Sequence, residues 1–281
     1  MIIWLASYPK SGNTWLRSLL SSYYFSEDGD FNFSLLENID QFPSYNHFKD
    51  YNKIFSNPTD TTEFWLEEQK KINSNNTIKL FKTHNALCKI NGNSFTDSKN
   101  TLGAVYIVRD PRNVITSLSN HYEINLDQAF EFMVTEHKAI IQKKEDSYVG
   151  FVALFSWIFH QSSWTNNKLF PTLVIRYEDL QNETFLTLKK VINFVDNFNT
   201  SKSSFNKDKV KKSIISCDFE RLKKLETNDG FIESPISKKD NSKINFFKFG
   251  KDNDYKKLLN KDLITKMNLK FKDEIKKYNY E

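Results

Sequence analysis

"LASYPKSGNTWLRSLL" (residues 5–20) sets a Pro-Lys-Ser-Gly cluster directly behind an apolar run that begins at Ile2. The run Ile2–Ala6 is short and bounded by polar residues, so it reads as a buried strand. Beyond the cluster, Trp15, Leu16, Leu19 and Leu20 recur at helical spacing. Strand, tight loop and helix in that order make an anion cradle. The free N–H groups of Ser11, Gly12, Asn13 and Thr14 and the helix dipole face the ligand, Gly12 lets the backbone approach, and Lys10 adds a point charge. A nucleoside-triphosphate loop reads Gly-x-x-x-x-Gly-Lys-Ser/Thr instead, with the final hydroxyl on Mg²⁺. That pattern occurs nowhere in the chain, Gly250-Lys251-Asp252 included, and the nearest strand-end carboxylate, Asp110, sits behind Arg109. The loop is therefore expected to hold a phosphate group without a metal ion.

Three further apolar runs read as strands: Ile78–Phe81, Ala104–Val108 and Thr172–Ile175. Helical spacing follows them, with Val114, Ile115 and Leu118 on one face and further helices expected over 151–169 and 179–195. The Asn/Lys-rich stretches 26–62 and 197–209 read as surface loops or weak helices. Alternation of strand and helix predicts a single α/β domain over residues 1–281, with a central parallel sheet and helices on both faces. In such sheets ligands bind beyond the carboxyl ends of the strands. The four strand ends supply Lys10, then Lys82 and His84, then Arg109, then Arg176-Tyr177.

Composition limits the function classes. Two cysteines, Cys88 and Cys217, build neither a disulfide framework nor a zinc ribbon, so free thiols in a reducing compartment are expected. No apolar run approaches the ~18 residues of a membrane span, and Lys10 interrupts any leader-like start. A soluble, cytoplasmic protein is expected. The net charge of +5 is concentrated late: residues 201–281 hold 21 Lys/Arg against 13 Asp/Glu. That excess reads as a solvated helical face or as a positive wall toward a polyanion; no nucleic-acid motif accompanies it.

The segment "YPKSGNTW" resembles the 5′-phosphosulfate loop of the cytosolic-type sulfotransferases, which use 3′-phosphoadenosine 5′-phosphosulfate (PAPS) and release adenosine 3′,5′-bisphosphate (PAP). The usual family form is Tyr-Pro-Lys-Ser-Gly-Thr-Thr-Trp, from which only Asn13 departs. "VYIVRDPRNVITSLSNHY" is similar to the family's 3′-phosphate motif, with Arg109 at a strand end and Ser117 eight residues later. "FKTHNAL", "SWIFHQSSW" and "RYEDL" fall in the family's order, and the resemblance runs from residue 2 to about residue 257.

The resemblance implies sulfuryl transfer from PAPS to a hydroxyl, or an amine, by in-line displacement without a metal. His84 is its catalytic base, at an ordinary imidazole pKa of about 6.5. Lys10 holds the phosphosulfate, and Lys82, on the same extended face as His84, supports the transferring oxygens. Lys10, Ser11, Gly12, Asn13, Thr14 and Trp15 form the donor loop, Arg109 and Ser117 take the 3′-phosphate, and Trp15, Tyr177 and Phe219 face the adenine. Lys248, Phe249 and Gly250 stand where the family has Arg-Lys-Gly, so one cation is missing, and Lys251 is a candidate replacement. His47, His121, His137 and His160 read as structural, His160 being the strongest second candidate. The acceptor, a small-molecule alcohol or glycan precursor, is expected against segments 26–75, 85–98 and 120–150 and part of the C-terminal region. There Phe31, Phe33, Phe48, Trp65, Phe130 and Phe132 either line an apolar pocket or belong to the core.

Overall fold

The structure is a computed structural model and describes residues 1–51, 53–199, 204–237 and 239–281. Its strands are β1 (Ile2–Ser7), β2 (Lys79–Thr83), β3 (Lys89–Ile90), β4 (Asn93–Ser94), β5 (Thr101–Val108), β6 (Ala139–Lys144), β7 (Ser147–Ala153) and β8 (Thr172–Arg176). The helices that matter to the site are α1 (Asn13–Phe25), α2 (Tyr45–Phe48), α3 (Trp65–Ile72), α4 (Pro111–Tyr122), α5 (Leu126–Val134) and α6 (Trp157–Thr165). They are followed by α7 (Tyr177–Asn182), α8 (Thr184–Asp196), α9 (Lys207–Ser216) and α10 (Phe219–Asp229).

The central sheet has the order β2-β1-β5-β8, and every neighbouring pair is parallel. Every residue of β1 is buried, as a central strand covered on both faces requires. Alternation along β1 divides its side chains between two cores. Trp4 and Ala6 pack with Tyr106, Phe42, Trp65 and Trp164 on one face, while Ile3 and Leu5 pack with Leu16, Leu19, Leu188 and Ile192 of α1 and α8 on the other. The four expected strands and the single α/β domain are therefore observed. Because β1 and β5 lie centrally, the loops after them, beginning at Tyr8 and at Arg109, open side by side at one sheet edge.

Three expectations change. The helix expected over 151–169 is in fact strand β7 as far as Ala153, then α6 from Trp157, where the Ser156 Oγ accepts from the Phe159 N–H at 3.2 Å. Antiparallel pairing with β6, and the Ala153 N–H donating to Asn85 Oδ1 at 2.8 Å, hold this apolar segment extended. The helix expected over 179–195 is broken at Glu183, whose backbone is non-helical, into α7 and α8. Stretch 26–62 carries short 3₁₀ and helical turns, but Phe31, Leu36, Ile39, Phe42, Phe48 and Phe55 are buried, so it covers the core. Of stretch 197–209, residues 200–203 lie outside the described residues.

Trp4 is fully buried and its indole N–H donates to Thr101 Oγ1 at 2.9 Å. Trp4→Ala is expected to destabilise the protein by about 3–5 kcal/mol, read as a lower denaturant midpoint in urea unfolding.

Candidate active site

The turn from β1 into α1 contains two left-handed residues, Lys10 (φ 65) and Gly12 (φ 99). A non-glycine in that region costs about 1–2 kcal/mol, so Lys10 is held there by its surroundings. Its carbonyl accepts from Arg109 Nη1 at 3.0 Å. Glycine at position 12 has a second reason: a Cβ there would lie 2.4 Å from Cδ2 of Tyr177. Gly12 caps α1, whose first turn carries no acidic residue. The helix terminus therefore offers uncompensated N–H groups to an anion. Ser11 Oγ and Arg109 Nε are buried polar atoms without a hydrogen-bond partner among the described residues, which fits a phosphate-bearing ligand at this turn.

The Asn13 side-chain NH₂ donates to the Leu5 carbonyl at 2.8 Å and to Ser7 Oγ at 3.2 Å, while its Oδ1 is buried without a hydrogen-bond partner among the described residues. The Thr14 hydroxyl donates to Glu233 Oε2 at 3.1 Å.

His84 follows β2, and its Nδ1 lies 2.8 Å from the Ser7 carbonyl oxygen. A carbonyl only accepts, so Nδ1 carries the proton and Nε2 is left with a lone pair. Burial and then the Lys82 charge pull the imidazole down to about 3, well below the ordinary value expected from the sequence. The ring is thus neutral throughout the physiological range. His160 does not line the site. It is fully buried, with Nε2 3.0 Å from the His84 carbonyl oxygen and Nδ1 2.9 Å from the Tyr106 hydroxyl, and so supports the His84 backbone from below.

Lys82 is 4% exposed and donates to Glu233 Oε2 at 3.0 Å. Lys10 lies 3.7 Å over the Phe246 ring. Burial, then Lys82 and Arg109, lower the Lys10 ammonium to about 7. The Arg109 guanidinium stacks 4.1 Å over Tyr177, and Tyr177 meets Trp15 edge to face at 5.9 Å. Ser117 Oγ accepts from Asn253 Nδ2 at 3.0 Å, a partner the sequence does not indicate. Lys248 donates to Asn120 Oδ1 at 2.7 Å. Gly250 (φ 52) lies beneath Phe219, whose Cε1 would be 2.5 Å from an added Cβ.

One cavity of about 500 Å³ gathers these groups: Lys10, Gly12, Asn13, Thr14, Trp15, Lys82, His84, Arg109, Ser117, Tyr177, Phe219, Lys248, Phe249, Gly250 and Lys251 all line it. Ser11 is buried beside it without lining it. Arg176, the fourth strand-end cation, turns away toward Tyr280 at 5.0 Å. Adjacent residues of an extended chain point oppositely, and Tyr177 takes the inward direction. The aromatics weighed for an acceptor pocket are not in the cavity: Phe31, Phe48, Trp65 and Phe130 are core, Phe33 stacks on Phe231, and Phe132 faces a separate shallow groove.

Of the segments expected to face an acceptor, 26–75 reaches the cavity through Gln41, 120–150 through His121, Tyr122, Ile140 and Gln142, and the C-terminal region through Glu233 and Phe246, whereas no residue of 85–98 lines it. His121 had a signal, since it stands one helical turn after Ser117 on α4 and shares its face. Glu233 had none, because its partner Arg17 is 216 residues away.

The sulfotransferase domain family matches residues 2–279. The chain belongs to this family. It is 26% identical to flavonol 3-sulfotransferase of Flaveria bidentis over 94% of this chain and 78% of that one. It is 25% identical to cytosolic sulfotransferase 14 of Arabidopsis thaliana over 80% of this chain and 61% of that one. The fold matches retinol dehydratase in complex with androsterone and PAP, with a TM-score of 0.61, 15% identity, and coverage of 98% of this chain and 80% of that one. A mouse sulfotransferase complexed with PAP aligns with a TM-score of 0.58, 18% identity, and coverage of 98% and 84%.

In this sulfotransferase the ligand-free Lys10 ammonium is expected to lose its proton near pH 7. Lysine ¹³Cε NMR with Lys10→Met as the assignment control checks this. A Lys10 signal that stays charged through the alkaline range would contradict the cation crowding described above.

Proposed function

We propose that residues 1–281 act as one catalytic domain that moves the sulfuryl group of PAPS to a hydroxyl of a small molecule or glycan precursor. Transfer from PAPS is the activity of the family to which the chain belongs. The residue roles rest on one observation above all: the Ser7 carbonyl fixes the His84 tautomer with Nε2 as acceptor, in a cavity that also gathers Lys10, Lys82 and Arg109.

Lys10 and the α1 terminus hold the 5′-phosphosulfate, Arg109 and Ser117 take the 3′-phosphate, and Trp15, Tyr177 and Phe219 enclose the adenine. Arg109 suits the 3′-phosphate because its planar fork meets two oxygens at once. His84 Nε2 accepts the proton of the acceptor hydroxyl as the new S–O bond forms. The bond from sulfur to the bridging oxygen breaks, and Lys10 neutralises the charge that grows on that oxygen. A neutral imidazole with so low a pKa is a weak base, and the incoming negative charge of the donor raises it toward a useful value. Gln41, Tyr122, Ile140, Gln142 and Phe246 give the acceptor an apolar wall with amide groups, which suits a hydroxylated molecule. Relatives named as cytosolic support a cytoplasmic reaction. Among the described residues, no helix is long and apolar enough to cross a membrane.

Calorimetric titration with PAP, alongside ATP with Mg²⁺, tests the donor site. PAP is expected to bind and ATP is not; preference for ATP would overturn the assignment. His84→Ala should abolish turnover of PAPS across a panel of phenols, alcohols and sugars while leaving PAP affinity within about threefold, since the imidazole faces the acceptor. The pH dependence has a definite sign. Lys10 is charged below about 7 in the free protein. PAP affinity should therefore be flat below neutrality and fall by up to about tenfold per pH unit above it. Lys10→Met should flatten that slope.

A further inference from the structure

Glu233 lies in the segment between α10 and Phe246, far in sequence from everything it touches. Its Oε1 accepts from Arg17 Nη1 at 2.5 Å, and its Oε2 accepts from Lys82 Nζ at 3.0 Å and from Thr14 Oγ1 at 3.1 Å. The donors come from α1 and from the end of β2, so the carboxylate ties three parts of the chain together at the His84 end of the cavity. Arg17 is itself buried and reaches the Leu36 carbonyl at 3.5 Å. Among the described residues, Glu233 is the hydrogen-bond partner of the Lys82 ammonium.

Lys82 needs such a partner. Its four-carbon stem has many rotamers, and an ammonium that is to meet a transferring sulfuryl group must be held in one of them. We propose that Glu233 is a positioning residue for sulfuryl transfer, its carboxylate clamped by Arg17 and Thr14 so that it orients the Lys82 ammonium beside His84. The inference rests on the reading that Lys82 meets the sulfuryl end of the donor.

The electrostatics agree with the geometry. Burial raises the Glu233 carboxyl, but Lys82 and Arg17 outweigh it and hold the group well below the usual carboxylate range, so it is always charged. Burial lowers Lys82, Glu233 raises it, and Arg17 lowers it. Lys10, His84 and His121 share its cavity and supply no negative charge; Asp218 also lines that cavity, but Glu233 is the carboxylate among the charges that shift Lys82. Without the carboxylate, Lys82 would be a buried cation among cations and would shed its proton at lower pH.

Two measurements on the full chain need no acceptor. In lysine ¹³Cε NMR, with Lys82→Met for assignment, Glu233→Gln should move the Lys82 titration down by about one unit or more. Glu233→Asp, which keeps the charge, should leave it close to wild type. In calorimetry, Glu233→Gln should reduce the ratio of PAPS to PAP affinity about tenfold, because only PAPS carries the sulfuryl group. Retained PAP binding also reports that each variant is folded. An unchanged Lys82 titration together with an unchanged ratio overturns the proposal. Equal tightening of both nucleotides also overturns it, since the carboxylate would then be occupying the place of the donor. Loss of PAP binding in both Glu233 variants overturns it as well, because a residue acting at the sulfuryl end leaves the bisphosphate contacts intact. Lys82→Met without any change in the PAPS to PAP ratio removes the Lys82 reading itself, whatever the Glu233 variants show.

Discussion

The turn between β1 and α1 exists only because position 12 has no side chain. Tyr177, directly after β8, lies where a Cβ of Gly12 would be, and the Arg109 guanidinium from the end of β5 stacks over that ring at 4.1 Å. Arg109 then donates to the carbonyl of Lys10, the left-handed residue of the same turn. Ring, guanidinium and turn thus fix one another. Because β1, β5 and β8 are adjacent in the sheet, this closed set of contacts needs no loop longer than a few residues. The turn is held by the same strand ends that build the sheet, and donors fixed in place before a ligand arrives are the effective ones.

Charge crowding is the second consequence of bringing the strand ends together. Lys10, Lys82 and Arg109 enter one cavity, and each strand that adds a cation makes the others harder to keep charged. The strain is visible in the neighbours: Lys10 is lowered to about 7, and both His84 and His121 to about 3, in each case by burial and by nearby cations. A polyanionic donor relieves all three at once, which gives the site selectivity for charge as well as for shape. Glu233 offsets part of the crowding where Arg17 and Lys82 converge on it.

What could be read from the sequence was local. Strand ends, the Lys-Ser-Gly turn, the two-residue spacing of Lys82 and His84, and the helix face of Ser117 all depend on neighbours within one element. What could not be read depends on tertiary pairing. The β6–β7 hairpin turns at Glu145 in a left-handed conformation, and its apolar strand has the composition of a helix segment until its partner is known. The direction of Arg176 follows from which of two adjacent side chains the cavity admits. The aromatic residues divide between core and cavity by contacts such as Trp65 with Phe95 at 5.4 Å, which no spacing reveals.

The departure in the C-terminal motif is answered by the same device that builds the first turn. Gly250 sits at positive φ under the ring of Phe219 as Gly12 sits under Tyr177, so two aromatic walls of the slot each close on a glycine backbone. Substituting Phe249 for a cation leaves that packing untouched, since it is position 250 that must lack a Cβ. The missing charge falls where others remain: Lys248 and Lys251 both line the cavity, and Asn253 ties the segment back to α4 through Ser117 Oγ and the Asn113 carbonyl, at 3.0 and 2.9 Å. The segment is therefore held on α4 by the Asn253 amide and by the Lys248 ammonium, which donates to Asn120 Oδ1, together with ring packing on Gly250.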